Sequence, residues 1–372
     1  MSESMTRRQM LLRSSAAFGG AILVGCAGTA GKMSPETARN SGSAVRMMFN
    51  ENPYGPSAAA QAAMTKAFNE ANLYVRGAIN ELRTLIADQV GLTRDHILIG
   101  SGSTEILQVV ALVSGLNGGE IIAADPTFQA LNRYAENIGG TVHRVPVNET
   151  LALDLEAMKK KVNKNTKLIY VCNPNNPTAT IVSDKELRPF CEEMSKQTLI
   201  LVDEAYYEYV DHPKYHTLVD LVSEGHNVIV TRTASKIHGL AGLRIGFGIA
   251  KPELVKHLQK RLTGTLNIIG LRAALASYRD KKFQSYCFKK NQESKAIVYK
   301  ALRELNFRYL ESETNFIFFQ TGVPIEQFQK DMEGQGFLVG RPFPPYLDWC
   351  RLSMAQPHEM RKFAAVLQNV MT

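Results

Sequence analysis

One stretch of the sequence predicts the architecture around it: Val228-Ile-Val-Thr-Arg-Thr-Ala-Ser-Lys-Ile-His-Gly-Leu-Ala-Gly-Leu-Arg-Ile-Gly-Phe247. Its first residues are an apolar, β-branched run, which favours a buried strand. A loop rich in glycine and hydroxyl-bearing residues follows directly and contains Lys236. Because α/β proteins build their sites where strands end in polar loops, we expect a functional site around this lysine.

The residues next to Lys236 predict a particular chemistry. Thr233 and Ser235 supply two hydroxyl groups and Arg244 supplies a planar cation, a set that suits a phosphate group. An amine beside a phosphate site is what a pyridoxal phosphate enzyme requires, because the lysine forms a Schiff base with the cofactor while the pocket holds its phosphate. This stretch alone is also compatible with a solvated lysine in a glycine-rich loop.

The rest of the chain alternates apolar, strand-like runs with helical patterns. Helical segments such as 128–138 and 184–195 separate several of the runs. This alternation predicts an α/β fold with a largely parallel sheet of about seven strands, covered by helices on both faces. The predicted strands are Ile97–Ile99, Ile121–Ala123, Thr141–Val147, Leu168–Cys172, Leu199–Val202, Val228–Thr231 and Ile245–Ala250.

The length of the chain predicts more than one domain. At 372 residues it is long for a single hydrophobic core. The last third changes to a mixture of short strands and helices, which favours a smaller α+β domain. We predict an export signal at 1–26, a linker at 27–46, an N-terminal arm at 47–70 that belongs to the smaller domain, a large cofactor-binding domain at 71–265 and a small C-terminal domain at 266–372.

The first residues are typical of an export signal rather than of a folded domain. Arg7 and Arg8 precede an apolar run at 16–24, which is the layout of a twin-arginine signal. The run is shorter than the roughly 20 apolar residues that span a bilayer. It ends at Cys26 in a sequence similar to a lipobox. We therefore expect export to the periplasm, with either a lipid anchor at Cys26 or cleavage in the small-residue stretch that follows.

The composition excludes some classes of function. The net charge is +8, but the basic residues are scattered, apart from a lysine cluster at 159–167 that we interpret as a solvated helix face. A nucleic-acid-binding surface needs a basic stripe interleaved with aromatic residues, and the sequence has none. The cysteines that follow the leader have no metal-ligand spacing, so we predict buried thiols and no metal site. They are Cys172, Cys191, Cys287 and Cys350.

Polar residues follow other predicted strands as well. Phe128 in Asp125-Pro-Thr-Phe128 offers a ring that can stack on a flat ligand, and a proline-rich loop at 173–178 presents Asn176. Asp203 follows the fifth predicted strand, where a buried carboxylate needs a cation such as a protonated pyridine nitrogen; a helix cap is the alternative. Gly100-Ser-Gly-Ser-Thr-Glu105 joins a strand to a helix start, which favours an anion.

Five motifs occur in a specific order and spacing. They are Asn50-Glu-Asn-Pro-Tyr-Gly-Pro56, Ser101-Gly-Ser-Thr-Glu-Ile-Leu107, Asn173-Pro-Asn-Asn-Pro-Thr178, Val202-Asp-Glu-Ala-Tyr206 and Arg232-Thr-Ala-Ser-Lys-Ile-His-Gly-Leu-Ala-Gly-Leu-Arg-Ile-Gly246. With these motifs the chain resembles the fold-type I, class I/II pyridoxal phosphate aminotransferases, and most of all the histidinol-phosphate aminotransferases. The resemblance covers nearly all of the sequence after residue 46.

The resemblance implies roles for individual residues. Lys236, Asp203 and Tyr206 are the expected catalytic residues, and Lys236 is expected to move the proton between the substrate and cofactor carbons. Tyr54, Arg341 and Arg351 are expected to bind the substrate, with Arg351 holding its acidic group. The expected cofactor contacts are Gly102, Ser103, Thr104, Phe128, Asn176, Asp203, Tyr206, Thr233, Ser235, Lys236 and Arg244, together with Tyr74 from the neighbouring subunit of a homodimer.

The chain departs from the family pattern at several positions. Tyr74 is followed by Val75-Arg-Gly77 instead of proline and an acidic residue, and Ala179, Ala234 and His238 replace the usual residues. These changes predict an altered wall near the substrate, so we expect a substrate other than histidinol phosphate. His238 is either a general base or, in the simpler interpretation, a packing residue.

The sequence favours transfer of an amino group from an L-amino acid to a 2-oxo acid by a ping-pong cycle. Oxidation, elimination or decarboxylation with the same cofactor is an alternative, if Arg76 and His238 redirect the reaction. A further alternative is a binding lipoprotein without catalysis. The intact Lys236, Asp203 and Arg244 argue against that last interpretation.

Overall fold

A seven-stranded sheet forms the centre of the structure, which is a computed structural model that describes residues 44–74 and 76–371. The predicted export signal and the linker up to residue 43 lie outside the described residues. The strands, numbered along the described chain, are β1 (Val45–Arg46), β2 (Ile97–Ser101), β3 (Glu120–Asp125), β4 (Thr141–Pro146), β5 (Thr166–Cys172), β6 (Leu199–Asp203), β7 (Val228–Thr233), β8 (Ile245–Ala250), β9 (Phe316–Gln320), β10 (Phe337–Leu338) and β11 (Trp349–Ser353).

The order and direction of the strands bring several strand ends together. In the central sheet the order is β2-β8-β7-β6-β5-β3-β4. The strands from β7 to β4 run parallel to one another, whereas β8 is antiparallel to both β7 and β2. Cys172 of β5 pairs with Asp203 of β6, and Asp203 pairs with Thr231 of β7. The carboxyl ends of these parallel strands therefore share one edge of the sheet, where α/β folds bind ligands.

The strands at the centre of the sheet begin with apolar runs and are buried along their whole length. Every residue of β6, β7 and β8 is buried. Such unbroken runs, rather than alternating patterns, are typical of a sheet that is covered on both faces. The predicted α/β fold with a mostly parallel sheet of about seven strands is confirmed, although β7 extends to Thr233 instead of ending at Thr231.

Helices cover both faces of this sheet. Alternate residues of β6 belong to different hydrophobic clusters: Ile200 and Val202 pack in one cluster, Leu199 and Leu201 in the other. This alternation follows from the two-residue period of a strand. The helices are α1 (Ala58–Ala67), α2 (Arg76–Val90), α3 (Gly102–Gly115), α4 (Ala130–Asn137), α5 (Leu155–Lys160), α6 (Asp184–Met194), α7 (Val219–Ser223), α8 (Pro252–Gln259), α9 (Ile268–Arg279), α10 (Lys281–Glu304), α11 (Ile325–Gly334) and α12 (Pro357–Met371).

A smaller α+β region has its own hydrophobic core. In it β9 pairs with β11 in antiparallel fashion, and β1 pairs in parallel with β10. Its core contains residues of α10, α11, α12 and both sheets, together with Met47 of the N-terminal arm. The arm runs along β11, since the backbone N–H of Ser353 donates to the carbonyl oxygen of Met47 at 3.0 Å. The predicted domain boundaries stay a prediction. No helix of the described residues is long and apolar enough to cross a membrane.

Candidate active site

The carboxyl edge of the sheet opens into a cavity of about 360 Å³. Residues at the ends of β5, β6 and β7 line one side of it, and β11 of the smaller region contributes Arg351. The fold therefore brings together most of the side chains that the sequence predicts at one site. Those that line the cavity are Ser103, Thr104, Phe128, Asn176, Asp203, Tyr206, Thr233, Ser235, Lys236, Arg244, Arg341 and Arg351.

Lys236 lies in the loop that follows β7, with its amine at the cavity. Its Nζ donates a hydrogen bond to the carbonyl oxygen of Asn50 at 3.3 Å and lies 5.3 Å from the centre of the Tyr206 ring. Burial, helped by the positive charge of Arg351, lowers the pKa of Lys236 from 10.5 to about 8. Since the uncharged amine is the nucleophilic form, this shift prepares Lys236 to bind an aldehyde near neutral pH.

Asp203 ends β6 and is 2% exposed. The hydroxyl of Thr231 donates to its Oδ1 at 2.9 Å, and the hydroxyl of Tyr170 lies 3.5 Å from its Oδ2. Burial raises the pKa of Asp203 to about 6, against the opposing effects of Thr231 and the charge of Lys236. A carboxylate held in this way is stabilised by a cation in the cavity, and a protonated ring nitrogen would supply one.

A hydrogen-bonded chain connects Tyr206 with Arg351. The hydroxyl oxygen of Tyr206 accepts from Nδ2 of Asn50 at 2.9 Å and from Nδ2 of Asn176 at 3.1 Å. Asn176 in turn accepts from Nη1 of Arg351 at 2.8 Å, and Nη2 of Arg351 donates to the carbonyl oxygen of Met48 at 2.5 Å. The Nε–H of Arg351 is buried without a partner in the described structure. A buried, unpaired donor of this kind favours a bound anion.

The start of α3 and the Lys236 loop form a cradle for a phosphate group. Gly102 has a φ of +73°, and a Cβ on it would lie 2.2 Å from Nη2 of Arg244, so this close approach requires glycine. Nη1 of Arg244 donates to Oγ of Ser235 at 3.3 Å, and Thr233 donates to the same oxygen at 2.9 Å. A helix N-terminus, two hydroxyl groups and a guanidinium together suit a phosphate.

These features fit the parts of pyridoxal phosphate. The cradle suits its phosphate, Lys236 suits its aldehyde and Asp203 suits its protonated ring nitrogen. The fit between this cavity and pyridoxal phosphate is inferred from the hydrogen-bond donors, acceptors and charges of the residues around the cavity.

Three predicted site residues, Gly102, Tyr54 and Tyr74, are not among the described residues that line the cavity of their own chain. The Tyr54 ring packs edge-on against Tyr286 at 5.1 Å, and its hydroxyl is buried without a partner in the described structure. Tyr54 is not one of the described residues that line the cavity, and its contact with the substrate stays a prediction. The side chain of Tyr74 is 94% exposed, and its assignment to a neighbouring subunit stays a prediction.

The unusual residues near Lys236 do not reshape the cavity wall. His238 is fully buried, its Nδ1 lies 2.9 Å from Oγ of Ser277, and its ring lies 4.0 Å from that of Tyr278. It is therefore a packing residue, as the simpler interpretation expected, and is not placed to act as a base on the substrate. None of the other departures (Arg76, Ala179 and Ala234) is among the described residues that line the cavity.

The structure also shows cavity residues to which the sequence assigned no role. Asn50 contacts both Tyr206 and Lys236. Phe343 has the guanidinium of Arg341 at 4.2 Å and that of Arg351 at 4.9 Å from its ring centre. Asn50 belongs to one of the motifs that carry the family resemblance, so the sequence could have indicated a role for it. Phe343 lies in a proline-rich loop, and no sequence motif indicates a role for it.

Comparison with known proteins identifies the family. Residues 44–367 match the family described as aminotransferase class I and II. Histidinol-phosphate aminotransferase 1 of Bacillus cereus is 35% identical over 296 residues, which covers 79% of this chain and 80% of that protein. The histidinol-phosphate aminotransferase of Brevibacillus brevis is 35% identical over 336 residues, covering 88% and 90%. The chain therefore belongs to the class I and II aminotransferases.

Solved structures agree with this assignment. A protein of Erwinia carotovora atroseptica, provisionally named a histidinol-phosphate aminotransferase, has a TM-score of 0.85 and 34% identity, covering 88% of this chain and 95% of that one. The histidinol-phosphate aminotransferase of Sinorhizobium meliloti, solved with pyridoxal 5'-phosphate, shares the fold with a TM-score of 0.82 at 24% identity, covering 92% and 95%. The predicted family, the aminotransferase activity and the cofactor pyridoxal 5'-phosphate are confirmed.

Proposed function

We propose that this aminotransferase takes the amino group of an L-amino acid, whose carboxylate binds Arg351, and transfers it to a 2-oxo acid bound in the same way. The observation that carries this assignment is the buried, unpaired Nε–H of Arg351 at the cavity that also contains the amine of Lys236. Amino acid and 2-oxo acid share a carboxylate, so one arginine serves both halves of a ping-pong cycle.

The side chains of this chain divide the work. Pyridoxal phosphate, when bound, supplies an aldehyde that binds amines and a ring that withdraws electrons from the substrate α-carbon. Lys236 would hold the cofactor through its amine and, when that amine is free, would move the proton between the substrate α-carbon and the cofactor carbon. Asp203 would hold the proton of the ring nitrogen. Asn176 and Tyr206 would donate hydrogen bonds to the ring oxygen, and Phe128 would stack on the ring.

Arg351→Gln tests the carboxylate contact. Loss of the charged donors should raise KM for the amino acid by roughly 10- to 100-fold with a smaller effect on kcat, because a hydrogen bond to a charged group contributes about 1.5–3 kcal/mol. The measurement is conversion of the bound cofactor's absorbance by a panel of amino acids, which includes histidinol phosphate because the similar proteins carry its name.

Arg308→Gln is the matched control, because Arg308 is an exposed arginine of the same region that does not line the cavity. Its KM values should be unchanged. An unchanged KM in Arg351→Gln contradicts the assignment. Formation of 2-oxo acid without an added acceptor, with consumption of O₂, identifies an oxidase instead.

We also propose that the protein is a homodimer with shared active sites. The segment before α2 supports this: Phe68 is 64% exposed, Leu73 is 58% exposed and Tyr74 is 94% exposed. Neighbouring apolar side chains with this exposure favour an interface. In the dimer Tyr74 reaches the phosphate cradle of the second copy.

Mixing two inactive variants tests the shared site. A Lys236→Ala chain still offers Tyr74, and a Tyr74→Phe chain still offers Lys236, so a mixed dimer contains one intact site. After joint refolding, about a quarter of the sites should be intact for random pairing of the two chains. Mixed dimers that form without any recovery of activity contradict this proposal.

We further propose that the protein folds with its cofactor and is then exported to the periplasm by the twin-arginine route. The support is the sequence of residues 1–26. Mass spectrometry of the mature protein should find Cys26 as a lipid-modified first residue, and changing Arg7 and Arg8 to lysine should leave the leader uncut. A mature protein that begins, without lipid, at a residue within 27–43 would support export but contradict the lipid anchor. A mature protein that retains residues 1–25 contradicts export with cleavage.

A further inference from the structure

Asn50 lies at the centre of the active-site contacts, although no role has been assigned to it. It is 1% exposed and belongs to the N-terminal arm. Its φ is +56°, in the left-handed region that side chains other than glycine rarely adopt and that asparagine tolerates best. An unusual backbone conformation at a cavity points to a functional constraint.

The side chain of Asn50 is held in one orientation. Its backbone N–H donates to Oγ of Ser353 at 2.8 Å, which leaves the serine hydroxyl proton free to donate to Oδ1 of Asn50, also at 2.8 Å. Because the carbonyl end of the amide faces Ser353, its NH₂ group faces the hydroxyl of Tyr206 at 2.9 Å. The arm and β11 thus fix a hydrogen-bond donor beside Tyr206.

The backbone of Asn50 contacts the other catalytic group. Its carbonyl oxygen accepts from Nζ of Lys236 at 3.3 Å and from Nδ2 of Asn315 at 3.0 Å. Asn315 holds this carbonyl in place from the smaller region. The amine of Lys236, whenever it is free, therefore has a fixed acceptor in the arm.

We propose that Asn50 is a positioning residue of the active site, which orients the amine of Lys236 through its carbonyl oxygen and the hydroxyl of Tyr206 through its amide. The left-handed conformation lets both groups face the cavity from one residue. The inference rests on the proposed function, in which Lys236 moves the proton and Tyr206 donates to the ring oxygen.

The amide also strengthens Tyr206 as a donor. Burial raises the pKa of Tyr206, and the charge of Arg351 and the hydrogen bond from Asn50 both oppose this rise. The other titratable groups that face Tyr206 are Cys172, Asp203, Lys236, Tyr170 and Tyr209. With Asn50 and Asn176 donating to its oxygen, Tyr206 has its own proton free for a partner in the cavity.

The test is a pH titration of the visible absorbance of the lysine-bound cofactor in the holoenzyme. Asn50→Gly accepts the same φ and keeps the carbonyl, but it removes the donor to Tyr206. Tyr206 then holds its proton more tightly and donates a weaker hydrogen bond to the ring oxygen, which stabilises the deprotonated form of the lysine-bound cofactor less. The pH midpoint of the absorbance change should therefore move upwards by roughly 0.5–1 pH unit. Asn50→Asp has nearly the same shape but places a carboxylate there, and the upward shift should be larger.

Gln61→Ala is the control in the same arm. It removes the exposed hydrogen bond that Nε2 of Gln61 donates to the carbonyl oxygen of Pro56 at 2.9 Å, and because Gln61 does not line the cavity it should leave the midpoint unchanged. In steady state Asn50→Gly should lower kcat while KM for the amino acid stays constant, because Arg351 is untouched. A general loosening of the arm would instead change both variants alike.

Unchanged midpoints in both Asn50 variants overturn the proposal. If neither variant folds, Ser353→Ala decides, because it frees the amide of Asn50 without altering that residue: an upward shift supports the proposal and no shift overturns it. Failure of the proposed function is separate. It would show as a visible cofactor band that persists in Lys236→Ala.

Discussion

Three charged groups face one cavity, of which Asp203 and Arg351 are buried and Lys236 is half-buried, and the chain surrounds them with neutral groups. Asp203 accepts from hydroxyl groups, while Lys236 and Arg351 donate to carbonyl oxygens. Burial is the largest cause of each pKa shift: upward to about 6 for Asp203, downward to about 8 for Lys236 and to about 10 for Arg351. Each group is held near the point where it exchanges a proton or accepts a counter-ion, and pyridoxal phosphate with a carboxylate substrate supplies the matching partners.

The residues behind the cavity keep these charges at fixed positions. Glu204 follows Asp203, and Arg232 lies four residues before Lys236. The guanidinium of Arg232 donates to Oε2 of Glu204 at 2.8 and 3.0 Å and to the hydroxyl of Thr217 at 2.7 Å. Removing one partner of a buried pair of this kind destabilises a protein by about 3–5 kcal/mol. The pair thus connects the ends of β6 and β7, from which the carboxylate and the amine project.

The sequence predicts most of the fold and the cofactor side of the site because both depend on local pattern. Unbroken apolar runs such as that of β6 occur where a parallel strand is covered on both faces. Lys236, Thr233, Ser235 and Arg244 stand within one loop, so a single motif identifies them.

The remaining features depend on contacts between distant residues, which no local pattern records. Asn50 meets Tyr206 across 156 positions and Ser353 across 303 positions. The departures near Lys236 led to a wrong expectation about the cavity wall for the same reason. These residues lie next to the catalytic Lys236 in the sequence, but the side chain of His238 packs in the core against Ser277 and Tyr278.

The most direct test of this account is to locate the amine that binds the cofactor and to measure its acidity. Apo protein is incubated with pyridoxal phosphate at a series of pH values, reduced with borohydride, and mapped by mass spectrometry. The account predicts a label on Lys236, with a rate of capture that rises with a midpoint near the lowered pKa of about 8 rather than 10.5, and no label in Lys236→Ala. Equal labelling at another lysine with unchanged turnover in Lys236→Ala would contradict it.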